Sequence, residues 1–203
     1  MRIILIRHGQ TEWNLLKKYQ GQIDIPLTDV GRGQAQRAGE YLVGNETIEA
    51  LYCSDLSRTK ETAEIVGRNI GLSPTCDPRL REIAFGAWEG LTFTQVYEKY
   101  PKEFDDWHNN TFKTKVPGGE TFDQVINRAM EAIKEILAKH KGTVAIVTHG
   151  GVIKAILSQS EAKNDLWKTS VEPGTITTLE FLEISGEKFM PVEIGFAPNI
   201  EDL

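Results

Sequence analysis

The chain has 203 residues, 40% apolar and 26% charged, with a formal charge of −6. That is an ordinary makeup for a globular protein, and the length suits one domain over 1–203. The acidic balance argues against general nucleic-acid binding, and no apolar run is long enough to span a bilayer, so any anion site must be a local positive pocket. Met1 leads straight into an apolar run, so no signal peptide is expected. Cys53 and Cys76 have no metal or redox spacing, and a reduced, cytoplasmic setting follows as the expectation.

Residues 2–6 (RIILI) are apolar and β-branched, the pattern of a buried strand in a parallel sheet. The strand ends in Arg7-His8-Gly9, with the short polar side chains Thr11 and Asn14 next. In open α/β sheets ligands bind beyond the carboxyl ends of strands, so a cation and an imidazole placed there suit chemistry on an anion. Thr28 is positioned to cap a helix running to about residue 43, ending in a turn at Gly44-Asn45. Residues 50–54 form the next strand, with Cys53 as a small core residue. It leads into a helix reaching about residue 70, with Ser54 or Asp55 as N-cap and Gly71 closing it. Arg58 then falls in the first turn, where backbone N–H groups favour an anion.

Residues 73–77 read as a short edge strand. From 79 to 120 the pattern is irregular, punctuated by Gly86, Gly90, Pro101, Pro117, Gly118 and Gly119. One helix is expected at 92–100 and a shorter one near Phe104, which makes 84–120 a lid-like insertion. Its many aromatics form either a mini-core beneath that lid or a substrate box. Residues 120–140 form a long amphipathic helix whose Glu and Lys face water. Residues 142–148 are another β-rich run, ending in His149-Gly150-Gly151 before a helix at 152–157. Residues 176–184 and 188–194 read as a hairpin, with Pro191 marking an edge strand that could pair across a homodimer. His108 and His140 have no partners in the sequence pattern and are expected to face solvent. The fold class is α/β: three layers, α/β/α, around a mostly parallel sheet with an antiparallel edge.

Three strand ends thus bring Arg7, His8, Arg58 and His149 together, two fixed cations and two imidazoles suited to a phosphoryl group. Neutral imidazole attacks phosphorus well, giving an N-phosphoryl intermediate. Guanidinium forks match the phosphoryl oxygens, and His149, Asn14 and a glycine N–H add donors. The leaving alkoxide needs a proton. Glu82, in Leu80-Arg81-Glu82-Ile83 and flanked by apolar residues, is the candidate donor. Each residue also has a plainer reading. His8 and His149 alone could be structural histidines, Arg58 could pair with Glu61, and Glu82 with Arg79 or Arg81.

The blocks Leu5-Ile6-Arg7-His8-Gly9-Gln10-Thr11-Glu12-Trp13-Asn14, Ser54-Asp55-Leu56-Ser57-Arg58-Thr59, Arg81-Glu82-Ile83, Pro117-Gly118-Gly119-Glu120 and Thr148-His149-Gly150-Gly151 resemble, in order, those of the histidine phosphatase superfamily. That family includes the phosphoglycerate mutases. The resemblance implies a phosphoglycerate mutase-like fold, His8 as phosphoacceptor, Glu82 as proton donor, and Arg7, Arg58 and His149 around the phosphate. It also implies substrate contacts from Thr11, Asn14, Gln20, Gly21, Gln22 and Gly150, and no metal or other cofactor. Relatives that are mutases carry an adjacent Arg pair in the insertion; here 84–120 has no Arg. Phe85-Gly86-Ala87-Trp88-Glu89-Gly90 followed by Tyr100-Pro101 looks like the broad-specificity and α-ribazole-phosphatase branch. The implied partner is a small phosphomonoester. The alternatives are a phosphoglycerate mutase and a non-catalytic phospholigand-binding protein. Glu172-Pro173-Gly174-Thr175 departs from the family pattern, which often has Asn before the last strand.

Overall fold

The computed structural model describes residues 1–160, 168–183, 185, 186 and 188–199. Its strands are β1 (Arg2–Arg7), β2 (Ile48–Cys53), β3 (Thr75–Cys76), β4 (Thr143–Thr148), β5 (Ile176–Phe181) and β6 (Phe189–Phe196). Its α-helices are α1 (Glu12–Leu15), α2 (Asp29–Asn45), α3 (Ser57–Ile70), α4 (Phe93–Lys99), α5 (Pro101–Asn109), α6 (Phe122–Lys139) and α7 (Gly150–Leu157). The strands form one sheet in the order β3-β2-β4-β1-β5-β6. β1, β2, β3 and β4 run parallel, while β5 is antiparallel to β1 and β6 to β5. This is the expected mostly parallel sheet with an antiparallel edge.

The period-two alternation of β1 divides its side chains between two cores. Ile4 and Ile6 meet Ala38 and Leu42 of α2 and Ala63 and Val66 of α3. Ile3 and Leu5 face the opposite side, with Ile133 of α6 and Val152 and Ile156 of α7. β1 and β4 are covered on both faces, which is why both read as unbroken apolar runs. Fully burying each such side chain contributes about 1.5–3 kcal/mol.

Several local expectations are corrected. α2 continues through Gly44 and Asn45, where the Asn45 amide donates to the Tyr41 carbonyl. α3 has Leu56 as its N-cap, with no side-chain cap of its own. Ser54 and Asp55 are engaged elsewhere, and Asp24 from a distant loop accepts from the Ser57 N–H at 2.8 Å. The Glu and Lys of α6 do face out, but Arg128 on the same helix is drawn inward. His140 is not a bare surface histidine: its ring lies 3.0 Å from the Tyr52 hydroxyl and 2.8 Å from Glu49. Cys53 and Cys76, unrelated in spacing, are register partners on β2 and β3 with sulfurs 3.6 Å apart. The hairpin's first strand stops at Phe181; Ile184 and Glu187 lie outside the described residues.

The aromatic insertion is mainly a core. Trp88, Phe104 and Trp107 are buried, with Trp88 and Trp107 edge to face at 5.5 Å between centroids. This cluster is continuous with the core beneath α6. Among the described residues no helix is long and apolar enough to cross a membrane.

Candidate active site

β2, β4 and β1 are adjacent, so their carboxyl ends deliver three short sequences to one place. The His8 N–H donates to the Thr148 carbonyl at 3.0 Å, which ties the end of β1 to the end of β4. The His8 and His149 ring centroids then lie 5.2 Å apart. Both rings are buried. His8 Nδ1 lies 2.7 Å from the Gly9 carbonyl oxygen. A carbonyl only accepts, so Nδ1 carries the proton and Nε2 keeps its lone pair. Burial, and then Arg58 and Arg7, push His8 well below the usual histidine pKa. Its ring is therefore neutral near neutral pH.

His149 is held from the other side. Its Nε2 lies 3.0 Å from Ser54 Oγ, while its buried Nδ1 has no hydrogen-bond partner among the described residues. Burial and Arg58 push this ring, too, well below the ordinary histidine range. An unpartnered buried ring nitrogen costs free energy unless a ligand meets it.

The two arginines are the strongest electrostatic feature. Arg58 is fully buried and donates to the carbonyls of Ile23 and Gly21, each at 2.8 Å. Burial pulls its pKa down to about 10, which leaves it cationic at neutral pH. The Arg7 guanidinium donates to the Val171 carbonyl. The Nε atoms of both arginines are buried and unpartnered, and neither side chain has a carboxylate within ion-pair distance among the described residues. Arg58 does not pair with Glu61, which is taken by Arg32.

Glu82 is half-buried at the border of a cavity of about 400 Å³ that also meets Arg7, Tyr19, Phe85, Trp107 and Gly150. Its carboxylate accepts from the N–H groups of Ile83 at 2.9 Å and Gly151 at 3.2 Å. A Cβ at position 151 would stand 2.4 Å from Glu82 Oε1, so this approach requires glycine. Neither nearby arginine takes Glu82: Arg81 pairs with Asp55, and Arg79 with Asp77 and Glu135. Leu80 and Ile83 are buried in the core. Burial pushes the Tyr19 hydroxyl up to about 12, which keeps it a neutral donor.

The remaining expected contacts are brought close but divide in kind. Asn14 and Thr11 form a capping box on α1, and the Thr11 hydroxyl is also 2.9 Å from Gln20 Oε1. Thr11 and Gln20 thus hold the loop, and the Asn14 amide NH₂ is left to donate. Gly21, at φ +51°, turns its carbonyl onto Arg58. Gln22 donates to the Glu82 carbonyl at 3.1 Å. Gly150 opens α7 against Arg7.

Sequence reasoning missed two supports. Ser54, read as a cap, is the His149 partner. Arg128 donates to the carbonyls of Arg79, Arg81 and Glu82 and pairs with Glu120 at 3.0 Å. The signal was present: Arg128 is the one arginine of α6, and Glu120 ends the Pro117-Gly118-Gly119 turn.

At the strand ends of an α/β fold, two guanidiniums with no carboxylate partner among the described residues thus stand around a neutral imidazole. The family model for the histidine phosphatase superfamily (branch 1) matches residues 3–189, and the chain belongs to that superfamily. It is 38% identical over 175 residues to a protein of Arabidopsis thaliana named metal-independent phosphoserine phosphatase, covering 83% of this chain and 74% of that one. Among solved structures, a mycobacterial glucosyl-3-phosphoglycerate phosphatase superposes with a TM-score of 0.83 at 29% identity, covering 95% of this chain and 97% of that one. A putative α-ribazole-5′-phosphate phosphatase of Escherichia coli does so with a TM-score of 0.81 at 26% identity, covering 96% and 95%.

Proposed function

We propose that the protein is a metal-independent phosphomonoesterase that hydrolyses small-molecule phosphate monoesters through a phosphohistidine on His8. The observation that carries this reading is the pair of guanidiniums, buried Arg58 and Arg7 with its buried Nε, neither with a carboxylate within ion-pair distance among the described residues. Burying such charges is costly unless a ligand anion compensates them.

In the first step His8 Nε2 attacks phosphorus and the bond to the ester oxygen breaks. Glu82, entering protonated, gives its proton to the leaving alkoxide. Arg7 and Arg58 hold the equatorial oxygens, where charge is spread in the transition state. His149 Nδ1–H, the Asn14 amide and the Gly150 N–H supply further donors. In the second step water attacks the phosphoryl group and the P–N bond breaks. The Glu82 carboxylate takes the proton from water and is ready for the next cycle. The cations this chemistry needs come from the chain itself.

His8→Ala is expected to abolish hydrolysis of an aryl phosphate, with chelators leaving the unaltered protein active. Full activity in His8→Ala would overturn the reading. The Arg-free stretch 84–120 favours hydrolysis over mutase chemistry, and a coupled mutase assay running well above the phosphatase rate would reverse that preference. The names of the relatives make phosphoserine and α-ribazole phosphate the first substrates to test.

A further inference from the structure

Two lysines that border the cavity, Lys154 and Lys168, have no part in the chemistry above, and Lys168 is already engaged by another group. Lys154 borders the same cavity as Arg7 and Glu82. It sits on α7 four residues after Gly150, so the two share a helix face about 6 Å apart along the axis. Gly150 marks the phosphate end of that face: a Cβ there would stand 3.3 Å from the Arg7 guanidinium carbon. Lys154 therefore begins one helical turn away from the phosphate pocket along the same wall.

The ammonium is half-buried, yet it makes no hydrogen bond or ion pair among the described residues. Burial and then Arg7 lower its pKa, while Glu172 and Glu82 act in the opposite direction. Its place in the last turn of α7 suits a cation electrostatically. That role needs no burial, and a surface lysine would fill it equally well. A partly desolvated cation facing a cavity is relieved by an anion that enters with the substrate.

Glu172 narrows the kind of anion. It borders the same cavity, and its carboxylate accepts from the Ser170 hydroxyl at 2.9 Å. A second phosphate, with two charges, would meet more repulsion from Glu172 than a singly charged group does.

We propose that Lys154 is a specificity-determining residue, which selects phosphomonoesters carrying a carboxylate a few bonds from the scissile phosphate. This rests on the phosphatase reading and deepens it by naming the substrate class.

The test compares kcat/KM for O-phosphoserine, 3-phosphoglycerate and phosphoethanolamine, which lacks the carboxylate, with an aryl phosphate as reference. In the unaltered protein the two carboxylate substrates should exceed phosphoethanolamine by about 10- to 100-fold, the range of a hydrogen bond to a charged group. Lys154→Met should bring that ratio close to unity, with the loss falling mainly on the carboxylate substrates. Lys154→Gln, which keeps a donor without the charge, should give an intermediate ratio, and thermal melting reports whether each variant is folded. A ratio unchanged in folded Lys154→Met overturns the proposal, as does an unaltered protein with no preference for the carboxylate. An equal loss on all four substrates also overturns it, since Lys154 would then serve the phosphate. Failure of the unaltered protein on every substrate, aryl phosphate included, would instead strike the phosphatase reading itself.

Discussion

The rings of His8 and His149 meet edge-on, 5.2 Å apart between centroids and inclined at 64°. They come from strand ends separated by most of the chain, and each lies in the field of Arg58. Two imidazoles this close, beside buried guanidiniums, resist taking up a proton. In the proposed mechanism that keeps His8 nucleophilic, and it ties stability to pH.

The sign follows from linkage. Both rings have folded-state pKa values below the unfolded one, so between those values the unfolded chain binds more protons. Their contribution to stability is complete above the unfolded pKa of about 6.5 and is lost as pH falls toward the folded values. Denaturant titrations from pH 8 to pH 5 should show stability falling below about pH 6.5, with a slope of up to about 2.7 kcal/mol per pH unit for two protons. His149→Gln should roughly halve that slope. A flat profile in both proteins would contradict the assignment of neutral buried rings.

In the proposed mechanism Ser54 acts through His149 as a positioning residue. Its hydroxyl, 3.0 Å from Nε2, fixes the ring so that Nδ1 is left for a phosphoryl oxygen. Ser54→Ala should lower kcat by roughly 3- to 10-fold, the worth of one hydrogen bond, with little change in KM. An effect confined to KM would show that Ser54 serves binding instead.

The Glu82 backbone depends on Arg128, whose guanidinium holds the carbonyls of Arg79, Arg81 and Glu82 together with Glu120. Arg128→Met removes one partner of a largely buried ion pair and should cost about 3 kcal/mol of stability. Activity should fall with it, because the Glu82 carbonyl loses its anchor while Gln22 alone remains. A stable variant with unchanged kcat would separate Arg128 from the site.

Cys53 and Cys76 are placed for a bond. Neighbouring strands put their Cα atoms about 4.8 Å apart, within the range a disulfide spans. Cys76 is exposed, whereas burial and then Cys76 push the Cys53 thiol up. Peroxide should act first on Cys76, and Cys53 should then displace water to close an intramolecular disulfide. Intact mass under non-reducing conditions should drop by two hydrogens, and not at all in Cys76→Ser. A stable sulfenic acid on Cys76 with no internal bond would contradict this.

What the sequence disclosed, and what it hid, follows from the range of each interaction. β1 and β4 were legible because sheets buried on both faces leave continuous apolar runs, and Arg7, His8 and His149 end those runs. Arg58 was legible from its position in the first turn of a helix. Glu82 was a candidate from its apolar neighbours, but only the resemblance set it apart from a surface carboxylate paired with Arg79 or Arg81. Ser54, Arg128 and Glu120 act across 95, 46 and 8 residues respectively. Ser54 has no local pattern at all, and Arg128 stands out only as the single arginine of α6. The cysteine pair and the His140–Tyr52 contact depend on strand register, which spacing along the chain does not encode. The choice between mini-core and substrate box was answered by packing: Trp88 and Phe104 are interior, while Phe85 and Trp107 also reach the cavity.

The central claim is a phosphoryl group carried on His8, and the most direct measurement traps it. The protein is mixed with a phosphorus-labelled aryl phosphate, quenched in base within milliseconds, digested and mapped by mass spectrometry. The account predicts an acid-labile, base-stable phosphoryl group on the peptide containing His8, absent in His8→Ala and longer-lived in Glu82→Gln. Hydrolysis that proceeds at full rate with no label on His8, or with the label on another residue, would contradict it.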